Sequence, residues 1–438
     1  ALLRVPDTTT IDALIRDKLA PGAWDAHLGH SPSLLVNAAS WGLLVTGRLL
    51  RPASGDVLGA LHGMVRRLGE PVVRRAVAAS VRQMGEQFVL GEDIGAAMRR
   101  AAPEEARGGR FSYDMLGEAA RTAADAARYE VAYAGAIAAI ATRCGSDGPA
   151  RNPGISVKLS ALHPRYEYAQ RARVMAELVP RVLILARAAA AADMGLNIDA
   201  EEQDRLDLSL DVIEAVLADP SLRGWDGFGL VVQAYGRRSL AVIEWAQALA
   251  TSLDRRLMLR LVKGAYWDSE IKAAQVAGLT SFPVWTRKAS TDLAYQHAAR
   301  RLLGMRARIF PQFATHNAQT AAVVMQMAGD ATGFEFQRLH GMGEALHGAL
   351  RDRFGVASRT YAPVGEHVDL LAYLVRRLLE NGANSSFVHR VLDAAVPASG
   401  LAASPSALLA EVPVANPGIP AAPDLYGCLL YTSPSPRD

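Results

Sequence analysis

The chain has 438 residues, half of them hydrophobic, and its 47 lysines and arginines nearly balance its 44 aspartates and glutamates, for a net charge of +3. Such a chain can bury a large core, which excludes a protein that is disordered overall. The balanced charge argues against a dedicated nucleic-acid-binding protein. Its two cysteines, Cys144 and Cys428, are too few for a disulfide framework or a cysteine-based zinc site, and they favour a cytoplasmic location.

Residues 1–108 are predicted to form a helical arm or small helical domain, because apolar-periodic segments follow one another there without a strand signal. Residues 1–10 lack the basic and apolar stretches of a secretory signal, so none is expected. The longest apolar stretch is Leu34–Leu50, which Asn37, Ser40 and Thr46 interrupt. A spanning helix wants roughly 20 predominantly apolar residues. We therefore expect a buried helix of a soluble protein, with a membrane-associating helix as the alternative.

Residues 109–393 are predicted to form a barrel, because short runs of Val, Ile and Leu alternate there with longer helical stretches. The predicted strands are Ser112–Leu116, Ile155–Leu159, Leu196–Ile198, Gly229–Val232, Leu257–Val262, Phe282–Thr286, Ile309–Phe313 and Phe334–Phe336. Alternating strands and helices indicate an α/β fold with a parallel sheet, and this number of units matches a (βα)8 TIM barrel. A doubly wound sheet is the alternative, although the G-x-G-x-x-G loop typical of one is missing.

The remaining segments are predicted from the same patterns. Helices are expected over Ala119–Ala141, Ala169–Ala191, Leu206–Leu217, Ser239–Leu253, Asp292–Leu303, Ala318–Met327 and Gly365–Glu380. Residues 394–429 are rich in Ala, Pro and Ser, which is typical of a linker. Residues 430–438 show no periodicity and are interpreted as an unstructured tail or an artefact of the sequence.

Polar side chains follow most of the predicted strands, at the barrel end where TIM-barrel chemistry takes place. They are Lys158, Asp199, Gln233, Arg260, Lys263, Thr286, Arg287, Lys288, His316, Asn317 and Gln337. Cations outnumber the one acid in this set, so we expect an anionic ligand that carries phosphate or carboxylate. Lys263, Arg287 and Lys288 are candidates to neutralise a pyrophosphate, and the Gln233 amide could pair with a heterocycle.

The last predicted helix carries Tyr373, Arg376, Arg377 and Glu380 on one face, at spacings of three and four residues. Two adjacent guanidinium groups on an apolar helix could clamp a small carboxylate. The alternative is that they are solvated or paired with Glu380.

Other kinds of chemistry have little support in the sequence. It contains no H-E-x-x-H, G-x-S-x-G or P-loop motif. His316 and His340 lack the neighbours that a metal site needs, so no metal is expected.

Seven motifs resemble the flavin-dependent proline dehydrogenase family, most closely the proline dehydrogenase half of bifunctional proline utilization A enzymes. They are Gly154-Ile-Ser-Val-Lys-Leu-Ser-Ala-Leu-His-Pro, Asn197-Ile-Asp-Ala-Glu-Glu, Val231-Val-Gln-Ala-Tyr, Arg260-Leu-Val-Lys-Gly-Ala-Tyr-Trp-Asp, Thr286-Arg-Lys-Ala-Ser-Thr-Asp, Phe313-Ala-Thr-His-Asn and Arg376-Arg-Leu-Leu-Glu-Asn-Gly-Ala-Asn-Ser-Ser. The resemblance covers residues 2–393. It implies a distorted (βα)8 barrel that binds FAD non-covalently and oxidises L-proline to Δ1-pyrroline-5-carboxylate, with hydride passing to flavin N5.

The resemblance also implies residue roles. The catalytic residues would be Lys158, Asp199, Arg260, Tyr361, Arg376 and Arg377. The substrate would be bound by Glu118, Lys158, Tyr266, Leu339, Tyr361, Tyr373, Arg376 and Arg377, with Glu118 paired to a clamp arginine when the site is open. The FAD would be bound by Asp199, Gln233, Arg260, Lys263, Gly264, Trp267, Thr286, Lys288, His316, Asn317, Gln337 and Glu380.

Members of this family pass electrons to membrane quinone, so the resemblance implies a cytoplasmic protein associated peripherally with the inner membrane. Full-length relatives continue into an NAD-dependent aldehyde dehydrogenase that makes glutamate, and they are expected to form homo-oligomers. We expect this chain to be a fragment without a nucleic-acid partner. Two alternatives stay open: a Schiff-base lyase that uses Lys158 or Lys263, and a scaffold whose helices bind partners.

Overall fold

The computed structural model describes residues 7, 10, 87–366, 373, 376, 377, 387, 397–410 and 412–425. Most of the predicted helical arm, with Leu34–Leu50, lies outside the described residues, as do most of the last predicted helix and residues 430–438. Among the residues that are described, no helix is long and apolar enough to cross a membrane.

Eight parallel strands close into a barrel in the order of the sequence. The strands are β1 Arg110–Met115, β2 Gly154–Val157, β3 Gly195–Ile198, β4 Phe228–Gln233, β5 Leu257–Val262, β6 Ile309–Ala314, β7 Glu335–Leu339 and β8 Ser358–Val364. Parallel pairing of β8 with β1 completes the ring, so the sheet has no open edge. The predicted (βα)8 fold is therefore confirmed.

Helices surround this barrel. The long ones are Ile94–Glu105, Ala123–Ala141, Arg171–Ala191, Leu206–Leu217, Ser239–Ser252, Trp267–Val276, Lys288–Gly304, Ala318–Ala328 and Glu344–Phe354, and the short ones are Leu159–Leu162, Ala398–Leu401, Pro405–Ala410 and Ala422–Leu425. Side chains define several starts: Thr122 and Asp125 form a reciprocal capping box before Ala123, and the Asn317 side chain caps the helix that begins at Ala318.

One predicted strand is wrong and one real strand was not predicted. Phe282–Thr286 is not a strand: only Val284 makes an isolated bridge, and Pro283 has no N–H for a ladder. The last strand of the barrel is β8, whose alternating Arg359, Tyr361 and Pro363 hide the apolar signal of a buried strand. The other seven predicted strands each overlap an observed one.

The barrel has an unusual distribution of polarity. Barrel interiors of this fold are usually filled by branched apolar side chains. Here the barrel interior holds polar side chains that hydrogen-bond across it. The apolar side chains of the strands, such as Ile155, Leu196 and Leu230, belong instead to the core that packs against the helices. The polar interior side chains include Ser112, Asp114, Ser156, Lys158, Asn197, Arg260, Gln312, Glu335, Gln337 and Arg359.

Gly229 makes room for this polar interior. A Cβ at this position would lie 2.5 Å from Nδ2 of Asn197 and 3.0 Å from Cβ of Met258. The same Asn197 nitrogen donates across the barrel to Oε1 of Gln312 at 3.0 Å. A glycine on β4 thus leaves the space in which the Asn197 amide makes this hydrogen bond.

The described part of the predicted linker lies against the barrel. The Gln275 amide donates to the Pro420 carbonyl at 2.8 Å, and Ile419 packs against the buried cluster of Tyr235, Ile271 and Val284. Residues 412–420 therefore cover the surface beside the helix Trp267–Val276.

Candidate active site

Lys158 lies at the carboxyl end of β2 and is almost fully buried. Its Nζ donates to Oδ1 of Asp114 at 2.6 Å, to Oδ2 of Asp199 at 3.2 Å and to the Tyr361 hydroxyl at 3.3 Å. Burial alone would lower the pKa of Lys158, but the two carboxylates and Tyr361 raise it well above its ordinary value. The lysine is held as a cation inside the site.

Arg260 on β5 is the second buried cation. Its Nε donates to Oε1 of Gln337 at 2.6 Å, and its Nη1 donates to Ser156 at 3.0 Å and to Asp199 at 2.9 Å. Its Nη2 donates to Ser112 at 3.2 Å. Four of the five guanidinium N–H groups are therefore held, which fixes the plane of the group.

Asp199, at the end of β3, joins these two cations. Its Oδ2 also accepts a hydrogen bond of 2.7 Å from the Tyr361 hydroxyl, and the Tyr361 ring centroid lies 5.0 Å from Cζ of Arg260. One carboxylate thus orients Lys158, Arg260 and Tyr361 together, and the structure brings together four residues to which the resemblance gave catalytic roles.

Arg376 forms a bidentate pair with Glu118. Its Nη1 and Nη2 lie 2.7 and 2.8 Å from the two carboxylate oxygens. Burial alone would raise the pKa of Glu118, but the Arg376 guanidinium outweighs it and holds that pKa below its ordinary value. Cζ of Arg376 lies 5.2 Å from the centroid of Tyr266, so the guanidinium already holds a carboxylate beside an aromatic ring.

Apolar and aromatic side chains form a small cluster at this end of the barrel. Cζ of Arg377 lies 5.2 Å from the ring centroid of Tyr373. Tyr373 in turn belongs to a cluster that includes Leu339 and Tyr361, so three residues predicted to bind the substrate lie together there. The cluster is completed by Phe88, Val89, Leu116 and Met342.

Lys263 and Lys288 converge on one carboxylate. Each Nζ lies 2.5 Å from a different oxygen of Asp292. Burial alone would raise the pKa of Asp292, and the two lysines lower it below its ordinary value. Nε of Arg287 donates to the carbonyl of Pro413 at 2.7 Å, and its role in neutralising a pyrophosphate stays a prediction.

Backbone contacts hold several other predicted cofactor residues. The Gln233 amide donates to the Glu201 carbonyl at 2.8 Å and accepts from the Ala265 N–H at 3.2 Å, which fixes its orientation. The Thr286 hydroxyl accepts from the Asn416 N–H at 2.9 Å, and Nε1 of Trp267 donates to a carbonyl at 2.8 Å.

Three more of the predicted cofactor residues have local structural roles, and a fourth lies outside the described residues. Gly264 has φ +133°, and a Cβ there would lie 2.4 Å from the Tyr235 ring, so only glycine fits. Nε2 of His316 accepts the Leu339 N–H at 3.0 Å, and Oδ1 of Asn317 accepts the Thr320 N–H at 3.1 Å. Glu380 lies outside the described residues.

The expectation of a single acid at this rim is wrong. Asp114 pairs with Lys158, and Asp292 pairs with both Lys263 and Lys288. Asp114 follows the alternation of Ser112 on β1, so the period of two in that strand could have revealed it. Asp292 lies one helical turn after Lys288, so the i,i+4 spacing could have revealed it. Over the described ranges, no group of His, Cys, Asp and Glu could hold a metal ion.

A cavity lies beside the site, between β3, β4 and the helix Leu206–Leu217. Asp199, Glu201 and Gln233 are among its lining residues. Glu201 is buried, and burial raises its pKa to about 7 although Arg205 opposes the shift. Its Oε1 accepts the Ser160 N–H at 3.3 Å.

Comparison with known families gives two matches along the chain. A family model described as proline dehydrogenase matches residues 97–390. A second, described as the DNA-binding domain of proline dehydrogenase, matches residues 1–88. The second description runs against the expectation that the chain has no nucleic-acid partner. Nearly all of residues 1–88 lie outside the described ones, so the structure does not test that expectation and it stays a prediction.

Similar proteins span the same regions. The bifunctional protein PutA of Escherichia coli (strain K12) is 52% identical over 443 residues, which cover 98% of this chain and 34% of that protein. The chain thus spans about a third of the length of such curated relatives. The proline dehydrogenase of Deinococcus radiodurans is 27% identical over 334 residues, covering 73% of this chain and 93% of that protein.

The fold is shared with solved structures. A crystal structure of Bradyrhizobium japonicum proline utilization A that carries a point substitution is 54% identical, has a TM-score of 0.75, and covers 97% of this chain and 43% of that one. The closed barrel, the buried cations at its carboxyl end and the family match over residues 97–390 agree. The chain belongs to the proline dehydrogenase family.

Proposed function

We propose that this chain oxidises L-proline to Δ1-pyrroline-5-carboxylate, with non-covalently bound FAD as the electron acceptor. The observation that carries the proposal is the bidentate pair of Arg376 with Glu118, next to the ring of Tyr266. A guanidinium that holds a carboxylate beside an aromatic ring is suited to a small amino acid whose own carboxylate replaces that of Glu118.

The substrate would be held by charge at one end and by apolar contact at the other. Arg376, Arg377 and Lys158 supply the positive charge for the proline carboxylate. Leu339 and Tyr373 belong to the apolar cluster that would receive the ring methylenes. Because Lys158 is held as a cation, its attraction for the carboxylate persists over the whole physiological pH range.

The residues beside the site fit a dinucleotide cofactor. Lys263 and Lys288 share one carboxylate, so their cluster keeps an excess positive charge for a pyrophosphate. The buried indole nitrogen of Trp285 has no hydrogen-bond partner among the described residues, which leaves a donor next to Thr286. When bound, FAD would supply a two-electron acceptor that the side chains of this protein lack.

Arg260 would act electrostatically. Its guanidinium is fixed in place before any substrate arrives, so it can stabilise negative charge that develops nearby without the cost of reorientation. Asp199 and Gln337 hold it, and Tyr361 lies against its face.

The proposal is tested by the visible spectrum of the purified chain. We expect flavin absorbance that bleaches anaerobically on addition of L-proline and is unchanged by an equal concentration of glycine, which lacks the ring. A chain that binds no flavin after refolding with FAD contradicts the proposal.

The same sample tests the alternative of a Schiff-base lyase. A nucleophilic lysine must be neutral, whereas Lys158 is held as a cation. We therefore expect borohydride to trap no substrate adduct on Lys158 or Lys263, and a trapped adduct would favour the lyase.

The wider setting is part of the proposal. We infer a cytoplasmic enzyme that passes electrons to a quinone at the inner membrane, to which it binds peripherally. The parent protein would also carry an NAD-dependent glutamate-semialdehyde dehydrogenase and form homo-oligomers. The name "bifunctional" of the PutA relatives supports a second activity in a longer parent.

A further inference from the structure

A series of hydrogen bonds between buried amide and charged side chains runs down the barrel interior from Arg260. Nε of Arg260 donates to Oε1 of Gln337 at 2.6 Å, and Nε2 of Gln337 donates to Oε1 of Glu335 at 2.8 Å. Glu335 and Gln337 are 0% and 1% exposed, so water does not compete for these hydrogen bonds. These hydrogen bonds connect the rim of the barrel with a carboxylate deep in its interior.

Three donors meet at one oxygen of Glu335. Besides Gln337, Oε1 of Glu335 accepts Nε2 of Gln312 at 2.9 Å and Nε of Arg359 at 2.7 Å. Burial alone would raise the pKa of Glu335, but Arg359 and Arg110 outweigh it and hold that pKa below its ordinary value. An ionised carboxylate only accepts hydrogen bonds, so it turns both glutamine NH2 groups toward itself.

This orientation has a consequence for Arg260. With its NH2 group turned to Glu335, Gln337 must present its carbonyl oxygen to Arg260, whose guanidinium can only donate. If the Gln337 amide were flipped, its NH2 group would face the Arg260 guanidinium, and both of these groups are donors.

We propose that Glu335 is a positioning residue for the reaction, acting through Gln337 to hold the guanidinium of Arg260 in its working orientation. The inference rests on the proposed function, in which Arg260 stabilises negative charge beside the bound flavin. Glu335 itself touches neither substrate nor cofactor.

The experiment compares three variants of the full chain loaded with FAD. Glu335→Gln removes the charge that orients the amides, and Gln337→Met removes the link to Arg260 while the pair of Glu335 with Arg359 stays intact. Gln312→Met is the matched control, since Gln312 shares the same oxygen of Glu335 but is hydrogen-bonded to Asn197 rather than to Arg260.

The main readout is the midpoint potential of the bound flavin, measured without proline. We expect Glu335→Gln and Gln337→Met to make flavin reduction at least tenfold less favourable, which corresponds to a shift of about 30 mV to lower potential for two electrons, and Gln312→Met to leave it within about threefold. In the same two variants kcat should fall more than KM rises.

Each other outcome counts against the inference. Wild-type potential in Gln337→Met overturns it, as does an equal shift in Gln312→Met, which would indicate general repacking of the interior. If Glu335→Gln does not fold because Arg359 loses its partner, Gln337→Met decides alone. Absence of flavin from the wild-type chain would instead contradict the proposed function.

Discussion

Arg376 carries the proposed substrate specificity at the scale of single residues. A charge-assisted hydrogen bond contributes about 1.5–3 kcal/mol, and this guanidinium makes two of them to a carboxylate. We expect Arg376→Met to raise KM for proline roughly 10- to 100-fold with flavin still bound. Steady-state kinetics would measure this, with Arg308→Met, whose side chain is 35% exposed, as control. Unchanged kinetics would rule out the clamp.

Glu201 gives a prediction about pH. Its pKa is about 7 in the folded chain because burial disfavours the charged form, whereas an unfolded glutamate titrates near about 4.3. The Glu201 carboxyl therefore holds its proton more tightly in the folded state than in the unfolded state. The free energy of unfolding consequently falls as the pH rises from about 4.5 through 7. The loss from this one group amounts to about 3 kcal/mol.

Glu201→Gln tests that prediction, since the amide carries no charge at either pH. Urea unfolding at pH 5 and pH 8 should show the variant gaining up to about 3 kcal/mol relative to wild type at the higher pH. The exposed Glu214→Gln on the neighbouring helix is the control. A pH-independent difference between wild type and Glu201→Gln would show that Glu201 is ionised in the folded protein at both pH values.

At the scale of elements, the sequence predicts those strands whose apolar side chains face the helices. The outward positions of β2 to β6 are apolar and make the strand pattern visible, whereas β8 carries Arg359 and Tyr361 inside the barrel and a proline near its end. The polar strand ends predict Lys158, Asp199 and Arg260 as one site. Asp114 and Asp292 are missing from the predicted strand ends, because Asp114 lies within β1 and Asp292 within a helix. The period of two in β1 and the i,i+4 spacing from Lys288 are nevertheless signals for them.

The segment 412–420 is an element whose contribution can be measured. Ile419 is half-buried against the cluster of Tyr235, Ile271 and Val284, whereas Val414 is 74% exposed. We expect Ile419→Ala to lower the free energy of unfolding by about 1–2 kcal/mol, since an incompletely buried side chain leaves a small cavity. Val414→Ala should change it by less than about 0.5 kcal/mol. If proteolysis within residues 412–425 is faster in Ile419→Ala alone, the segment 412–420 is the part of the protein that has become less stable. Equal effects of both variants would contradict the packing of Ile419 against the barrel.

At the scale of the whole molecule, Arg359 ties together the strands at which the barrel closes. It donates from β8 to Oε1 of Glu335 on β7 at 2.7 Å, to the Phe111 carbonyl on β1 at 3.1 Å, and to the carbonyls of Asn152 and Ala150 before β2 at 2.9 and 2.8 Å. This single buried side chain therefore joins the first strands of the barrel to the last two.

Removal of one charge from the pair of Glu335 and Arg359 should destabilise the barrel more than removal of both charges. Arg359→Met leaves the Glu335 charge buried with only the more distant Arg110, at 3.4 Å, and should cost about 3–5 kcal/mol of unfolding free energy. The double variant Glu335→Met with Arg359→Met should recover part of that loss, because no unpaired carboxylate is left. Urea unfolding of both single variants and the double variant measures the coupling. If the two changes were simply additive, Arg359 would act through its carbonyl contacts and not through the charge that it neutralises.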